Sequence, residues 1–209
     1  MADLPLKWIG MPNIVMRNKT ALIGGTFDPV HIGHINLFHN VYALAGFDSL
    51  IVIPAMISNF KQNTKPVSFS ERVSMLELAI EDYKELYPSD KLDIQISRYE
   101  GDKGGVSYTS ETIRHFYDEV VDEGKVNFII GDDILPDLNR WHDFEYIKAN
   151  VRFFCFSREG KKGDYGAEVH FICSPITKAS SSSIRSGKEG MLTKHVKEFV
   201  DEHKLYRAL

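Results

Sequence analysis

Gly24-Gly25-Thr26-Phe27-Asp28-Pro29-Val30-His31-Ile32-Gly33-His34 stands where an apolar strand signal, Thr20-Ala21-Leu22-Ile23, hands over to a helical one. Paired glycines let backbone N–H groups approach a ligand with no Cβ in the way. The helix that follows aims its positive end and its unpaired amides at the same point. His31 and His34 are three residues apart, so both imidazoles leave one face of the first helical turn. A turn of this kind lies at the carboxyl edge of a sheet, where α/β proteins bind their ligands. Two imidazoles there can donate hydrogen bonds to phosphate oxygens.

Outward from this stretch, strand and helix signals alternate. The pattern predicts an α/β fold: Rossmann-like, doubly wound, with a mainly parallel sheet. The first helix is expected from about His31 to Ala45, closed by Gly46 at its C′ position. Leu50-Ile51-Val52-Ile53, stopped by Pro54, reads as a buried central strand. Ser68 and Glu71 have the spacing of a capping box ahead of a helix carrying Val73, Met75, Leu76, Leu78, Ala79 and Ile80. Leu92 to Ile96 alternates like a half-buried strand. Arg98 to Ser107 holds three glycines and reads as a mobile loop. Thr109 opens a helix with Ile113, Phe116 and Val120, and Val126 to Ile130 is a strand closed by Gly131. Further strands are expected at Val151–Phe156 and Val169–Cys173, separated by a Gly-rich excursion from Arg158 to Glu168. A last helix runs from about Thr193 to His203.

The chain of 209 residues fits one domain, placed at residues 19–209, with residues 1–18 as an N-terminal extension. With 43% apolar and 26% charged residues, wholesale disorder is excluded. Lys plus Arg is 25 against 29 Asp plus Glu, a net charge of −4, so no general footprint for nucleic acid exists. Cys155 and Cys173 each lie in an apolar run, read as two buried thiols, and the absence of a CxxC pair argues against a zinc or disulfide scaffold. No apolar stretch reaches the roughly 18 residues of a membrane span, and no signal-peptide core stands near the start. A cytoplasmic location is expected, with no membrane or nucleic-acid partner; a homo-oligomer is compatible with the sequence.

Near the other end stands Ser180-Ser181-Ser182-Ser183-Ile184-Arg185. Serine hydroxyls and N–H groups at a helix start, with a planar and permanently charged guanidinium, make an anion cradle. His31-Ile32-Gly33-His34 spells the HIGH signature of nucleotidyl-transferring folds, and this serine element fits its second half. The chain resembles the bacterial nicotinate mononucleotide adenylyltransferases of the nucleotidyltransferase α/β phosphodiesterase superfamily. The likeness covers about residues 20 to 207. Gly24–His34 follows GGTFDPxHxGH, Ser107-Tyr108-Thr109-Ser110-Glu111-Thr112 follows SYTxxT, and Ile129-Ile130-Gly131-Asp132-Asp133 with Trp141 follows IIGxD…W. Ser180 to Arg185 follows SSTxIR, and Leu205-Tyr206 matches a terminal LY.

The resemblance implies adenylyl transfer from ATP to nicotinate mononucleotide. ATP would lie over Gly24, Gly25, Thr26 and Phe27, its phosphates reaching His31 and His34. Gly131 and Asp133 would meet the nucleoside, and Arg185 with Ser181 and Ser182 would hold the β- and γ-phosphates. The catalytic set would be His31, His34 and Arg185. For the acceptor, Tyr108 and Thr109 would receive the carboxylate and Trp141 would stack on the pyridine, with Lys61 and Arg158 near its acidic groups. Mg²⁺ would enter with the triphosphate; no carboxylate cluster in the sequence demands a metal held by the protein alone. The chain departs from the family where Pro-His-Lys is common and Asn59-Phe60-Lys61 stands, and His142 follows Trp141 where Tyr is frequent. Rival readings are transfer to nicotinamide mononucleotide or to another phosphorylated acceptor such as pantetheine phosphate, and a nucleotide-binding regulator without catalysis.

Overall fold

Six strands form one wholly parallel sheet in a computed structural model that describes residues 20–59, 66–157, 163–175, 177–188 and 190–206. They are β1 (Thr20–Gly25), β2 (Ser49–Pro54), β4 (Asp93–Ile96), β6 (Val126–Gly131), β7 (Val151–Ser157) and β8 (Val169–Cys173), in the order β4-β2-β1-β6-β7-β8. Two short strands, β3 (Ile57–Ser58) and β5 (Val106–Ser107), pair separately. The helices are α1 (Ile32–Ala43), α2 (Phe69–Leu86), α3 (Tyr99–Lys103), α4 (Thr109–Val120), α5 (Phe144–Asn150), α6 (Ser181–Arg185) and α7 (Lys194–Glu202), and a 3-10 turn spans Leu135–Arg140. The expected extension at residues 1–18 and its boundary lie outside the described residues.

The strands sort their side chains by the period of two that a pleated sheet imposes. From β1, Ala21 and Ile23 join the core under α1, α2 and α7, while Leu22 joins the core under α4 and α5. Leu50 and Val52 against Ile53 in β2, and Phe154 and Phe156 against Phe153 and Cys155 in β7, repeat the division. Strands buried on both faces read as continuous apolar runs, which is what the sequence presents.

From β1 the order runs outward through β2 to β4, and from β6 outward through β7 to β8. The winding therefore reverses between β1 and β6. Crossovers diverge at that point, and a crevice opens over the carboxyl ends of the two strands.

Three local expectations need correction. The Arg98–Ser107 segment is not a mobile loop: it folds into α3 and β5. Gly101 is there for packing, since a Cβ would stand 2.2 Å from the Phe69 ring. Buried Glu100 anchors the segment by accepting from Thr112 Oγ1 at 2.6 Å. Cys173 is exposed at the end of the edge strand β8, whereas Cys155 is buried. Regular α1 geometry ends at Ala43 with Leu44 as the C-cap, so Gly46, at positive φ, falls one residue beyond the expected C′ position and donates its N–H to Tyr42 O at 3.2 Å. The capping box is as read: Ser68 N–H donates to Glu71 Oε2 at 2.8 Å and Glu71 N–H to Ser68 Oγ at 3.2 Å. Of the Arg158–Glu168 excursion, residues 158–162 lie outside the described residues.

Arg72, one turn into α2, is 1% exposed. Its guanidinium donates to Thr26 O at 2.8 Å, Ala55 O at 2.7 Å, Met56 O at 3.3 Å and Val67 O at 3.3 Å. One side chain thus ties the turn after β1 to the turn after β2. Replacing it by leucine strands four carbonyls and uncovers Asp28. Arg72→Leu should lose about 3–5 kcal/mol in urea unfolding, the cost of breaking a buried charge arrangement; a loss below about 1 kcal/mol would show the carbonyls to be satisfied without it.

Candidate active site

Above the crevice, the turn Gly24–Pro29 carries the first half of the site. Phe27 takes a left-handed backbone conformation, φ 50°, and its ring is buried against His34 at a centroid distance of 5.0 Å. His31 caps α1, and its N–H donates to His34 Nδ1 at 3.2 Å. The two imidazole rings lie 3.8 Å apart. Because His34 Nδ1 accepts, the neutral ring carries its proton on Nε2, a donor available to the cleft that His34 lines. Burial pulls His31 down to about 4, and burial together with the neighbouring His31 holds His34 well below the ordinary histidine range. Both rings are neutral at pH 7.

The second half arrives from the far end of the chain. Ser181 Oγ donates to Pro29 O at 2.9 Å. Arg185 Nη1 donates to Asp28 O and lies 3.6 Å from Asp28 Oδ2, while its Nη2 donates to Ser182 Oγ at 3.3 Å. Tyr206 OH donates to Asp28 Oδ1 at 2.7 Å, and burial with that bond pushes its phenol above the usual range. Asp28, 5% exposed, also accepts from Val67 N–H at 3.3 Å. The carboxylate is thus surrounded by Tyr206, Arg185 and, beneath it, Arg72. Neither Arg72 nor Asp28 was singled out from the sequence. Their signal was present only as a charged residue in an apolar helix face and an acid inside the glycine motif.

Three adjoining cavities form one trough along the sheet edge. A cavity of about 360 Å³ brings Gly24, Gly25, Thr26, Phe27, His34, Gly131, Asp133, Ser181 and Arg185 together. His31, His34, Gly131 and Asp133 border a second, of about 200 Å³, reaching Asn36 and Thr177. Tyr108, Thr109 and Trp141 line a third, of about 310 Å³, which shares Gly24, Gly25 and Asp133 with the first. A Cβ at Gly131 would sit 2.5 Å from Asp133 Oδ1, so a larger residue there would turn the Asp133 carboxylate aside. Asp133 does not cap a helix; the 3-10 turn begins after Ile134. Trp141 packs edge-on against Phe128 at 6.2 Å and Phe153 at 5.9 Å, which fixes the indole plane. The Tyr108 ring lies 4.4 Å from His142, whose Nδ1 is 3.2 Å from Ser110 Oγ, and Glu100 closes the floor with a carboxyl raised by burial. Ser182 touches Arg185 and stands at the margin. Lys61 and Arg158 lie outside the described residues, while Asn59 lines the third cavity. Among the described residues, the exposed carboxylates of Asp133 and Asp137 border the trough, an oxygen set that suits a hard divalent cation only together with phosphate oxygens and water.

A nested pair of imidazoles, a guanidinium and a glycine turn thus meet at the switch point of a doubly wound sheet, where such folds bind their ligands. Residues 22–187 match the cytidylyltransferase-like family. A relative from Treponema pallidum (strain Nichols), named nicotinate-nucleotide adenylyltransferase, is 34% identical over 150 residues, 71% of this chain and 70% of its own. One from Clostridium botulinum (strain Loch Maree / Type A3), bearing the same name, is 33% identical over 213 residues, 92% of this chain and 100% of its own. The Plasmodium falciparum nicotinic acid mononucleotide adenylyltransferase complexed with NaAD shares the fold, with a TM-score of 0.65 at 17% identity over 91% of this chain and 98% of that one. The chain belongs to the cytidylyltransferase-like family and, within it, to the nicotinate-nucleotide adenylyltransferases. No helix among the described residues is long and apolar enough to cross a membrane.

The buried histidines set a pH dependence. The folded pKa of His31 lies below its unfolded value, so between about 4 and about 6.5 the unfolded chain binds a proton that the folded one does not. Its contribution to stability is full above pH 6.5 and is lost as the pH falls towards 4. The loss for His31 alone is on the order of 3 kcal/mol. Urea unfolding between pH 4 and 7 should show a shallower pH slope for His31→Gln than for the unaltered protein; equal slopes would mean that His31 titrates freely.

Proposed function

We propose that the protein transfers the adenylyl group of ATP to nicotinate mononucleotide, giving nicotinate adenine dinucleotide and pyrophosphate. The observation that carries this reading is the docking of Arg185 and Ser181 on the Asp28–Pro29 turn beside His34, all bordering one trough. A neutral imidazole donor, a guanidinium and a glycine turn without Cβ atoms complement a polyphosphate, and the Asp28 carboxylate beside them is already engaged.

In this reading an oxygen of the acceptor's phosphate attacks the α-phosphorus in line. The bond from that phosphorus to the bridging oxygen of the pyrophosphate breaks as the new P–O bond forms. The nucleophile is an anion at neutral pH, so no general base is required. Catalysis rests on placement and on donors aimed at developing charge. His34 Nε2–H and the Gly24–Phe27 amides serve the α-phosphate, with His31 fixing the His34 ring. Arg185, Ser181 and Ser182 receive the β- and γ-phosphates and stay with the leaving pyrophosphate. Gly131 and Asp133 accept the nucleoside. Tyr108 and Thr109, at the start of α4, hold the acceptor's carboxylate by helix-end amides, and Trp141 stacks on the ring. Lys61 and Arg158 are assigned to the acceptor's acidic groups by resemblance. Mg²⁺ carried by the triphosphate would neutralise phosphate charge, with Asp133 and Asp137 able to bind its water shell. We place the protein in the cytoplasm.

The reading is tested by pyrophosphate release from ATP with nicotinate mononucleotide, nicotinamide mononucleotide or phosphopantetheine; the first should be the best acceptor, and nucleotide binding without pyrophosphate release would replace the enzyme with a regulator. His34→Ala should lower kcat by roughly 10²–10³, the cost of one preorganised donor to a developing oxyanion; an unchanged kcat removes His34 from the chemistry. Trp141→Ala should raise KM for the mononucleotide by the equivalent of about 1–3 kcal/mol of stacking, with KM for ATP almost flat. The reverse pattern in steady-state kinetics refutes the stacking role.

A further inference from the structure

Further along α2 from Arg72, Asp82 and Glu85 stand one helical turn apart and face the first turn of α7. Asp82, Glu85 and His195 each present a ligand atom, and the three atoms lie within 4.8 Å of one another. Asp82 is 3% exposed. Its Oδ1 accepts the His195 N–H at 3.3 Å and faces the His195 Nδ1 at 2.8 Å. That arrangement caps α7 and accounts for one oxygen. The other, Oδ2, is buried with no hydrogen-bond partner among the described residues. A second oxygen of a buried carboxylate left without a partner is costly, and helix capping does not explain it.

We propose that Asp82, Glu85 and His195 form a binding site for a divalent transition-metal cation, with Zn²⁺ the best match. One imidazole nitrogen and two carboxylate oxygens are the mixed set that such an ion accepts, with water completing a tetrahedron. Mg²⁺ is a poorer match, because it prefers an all-oxygen octahedron. The buried Oδ2 gains the partner it lacks, and Glu85, exposed on the same helix face, closes the site from the solvent side. Coordination through His195 Nδ1 requires the neutral tautomer that carries its proton on Nε2. The site would clasp α7 onto α2. The chain leaving α7 carries Tyr206 to Asp28, so the clasp lies on the path by which the C-terminus reaches the trough. Asp82 and His195 are 113 residues apart, which is why the sequence shows no such cluster.

The test uses the full chain without an affinity tag, treated with chelator and free of nucleotide. ZnCl₂ is titrated by calorimetry and by thermal melting. Expected are one bound equivalent and a Tm that climbs with Zn²⁺ concentration. Glu85→Ala, at an exposed position, should leave Tm without metal unchanged. It and His195→Ala should each weaken binding by at least roughly 10-fold, the cost already attached to losing a hydrogen-bond partner of a metal ligand. Absence of binding at millimolar Zn²⁺ would overturn the proposal. So would affinity undiminished in both variants, since the ion would then reside on other surface groups.

Discussion

A single buried carboxylate organises this molecule. Asp28 sits under the glycine turn with the phenol of Tyr206 on one oxygen, the guanidinium of Arg185 near the other and Arg72 below. A lone carboxylate in that position would be prohibitive, since an unpaired buried charge costs many kcal/mol. Arg72 alone would be equally untenable at 1% exposure, and burial does lower its pKa, with Asp28 opposing that fall. Each charge makes the other tolerable, and each brings a distant segment with it. Arg72 brings α2 and the turn after β2; Arg185 brings α6; Tyr206 brings the C-terminal end. The turn between β1 and α1 therefore acquires its shape from four regions of the chain.

The same arrangement decides what the cleft can bind. Asp28 would repel a triphosphate were it free to face one. Its partners absorb its charge, and Arg185 stays about one-third exposed on the cleft side. The imidazoles add donors without adding charge, because burial keeps them neutral. For an anion in the cleft, attraction would come from Arg185 and from amides, while His34 would contribute direction. A cationic pair of histidines 3.8 Å apart would repel each other and loosen the start of α1.

Much of this could be read from residues. The parallel sheet followed from apolar runs alternating with helical periodicity, and Ser68 with Glu71 announced the start of α2 correctly. The meeting of the two ends was expected because two separate anion-binding patterns, Gly24–His34 and Ser180–Arg185, needed a common partner. The supports of the site were less legible. Arg72 looks like an ordinary helix charge until its four carbonyl partners are known. Glu100 and Gly101 sit in a stretch whose glycines suggest mobility, yet one glycine exists to receive the Phe69 ring and the acid is locked by Thr112. Composition cannot separate a glycine that loosens a chain from one that admits a neighbour. Cys173 was misread because an apolar run on an edge strand has one uncovered flank, which Cys155 in the interior of the sheet does not.

The division between what sequence shows and what it hides has a physical basis here. Ligand-facing groups need a fixed local geometry, so they cluster within a few residues on one turn and become visible as motifs. Groups that hold such a turn in place act through single hydrogen bonds from elsewhere in the fold, and any element able to reach will serve. Tyr206 illustrates the second kind: 178 residues from Asp28, it contributes one 2.7 Å bond, and the Leu205-Tyr206 pair gives no sign of its partner. Such a contact ties the integrity of the trough to the packing of α7 on α2, an interface far from any phosphate. Forces acting on that interface must therefore be felt at Asp28, because the carboxylate has no other phenol to replace the one it would lose.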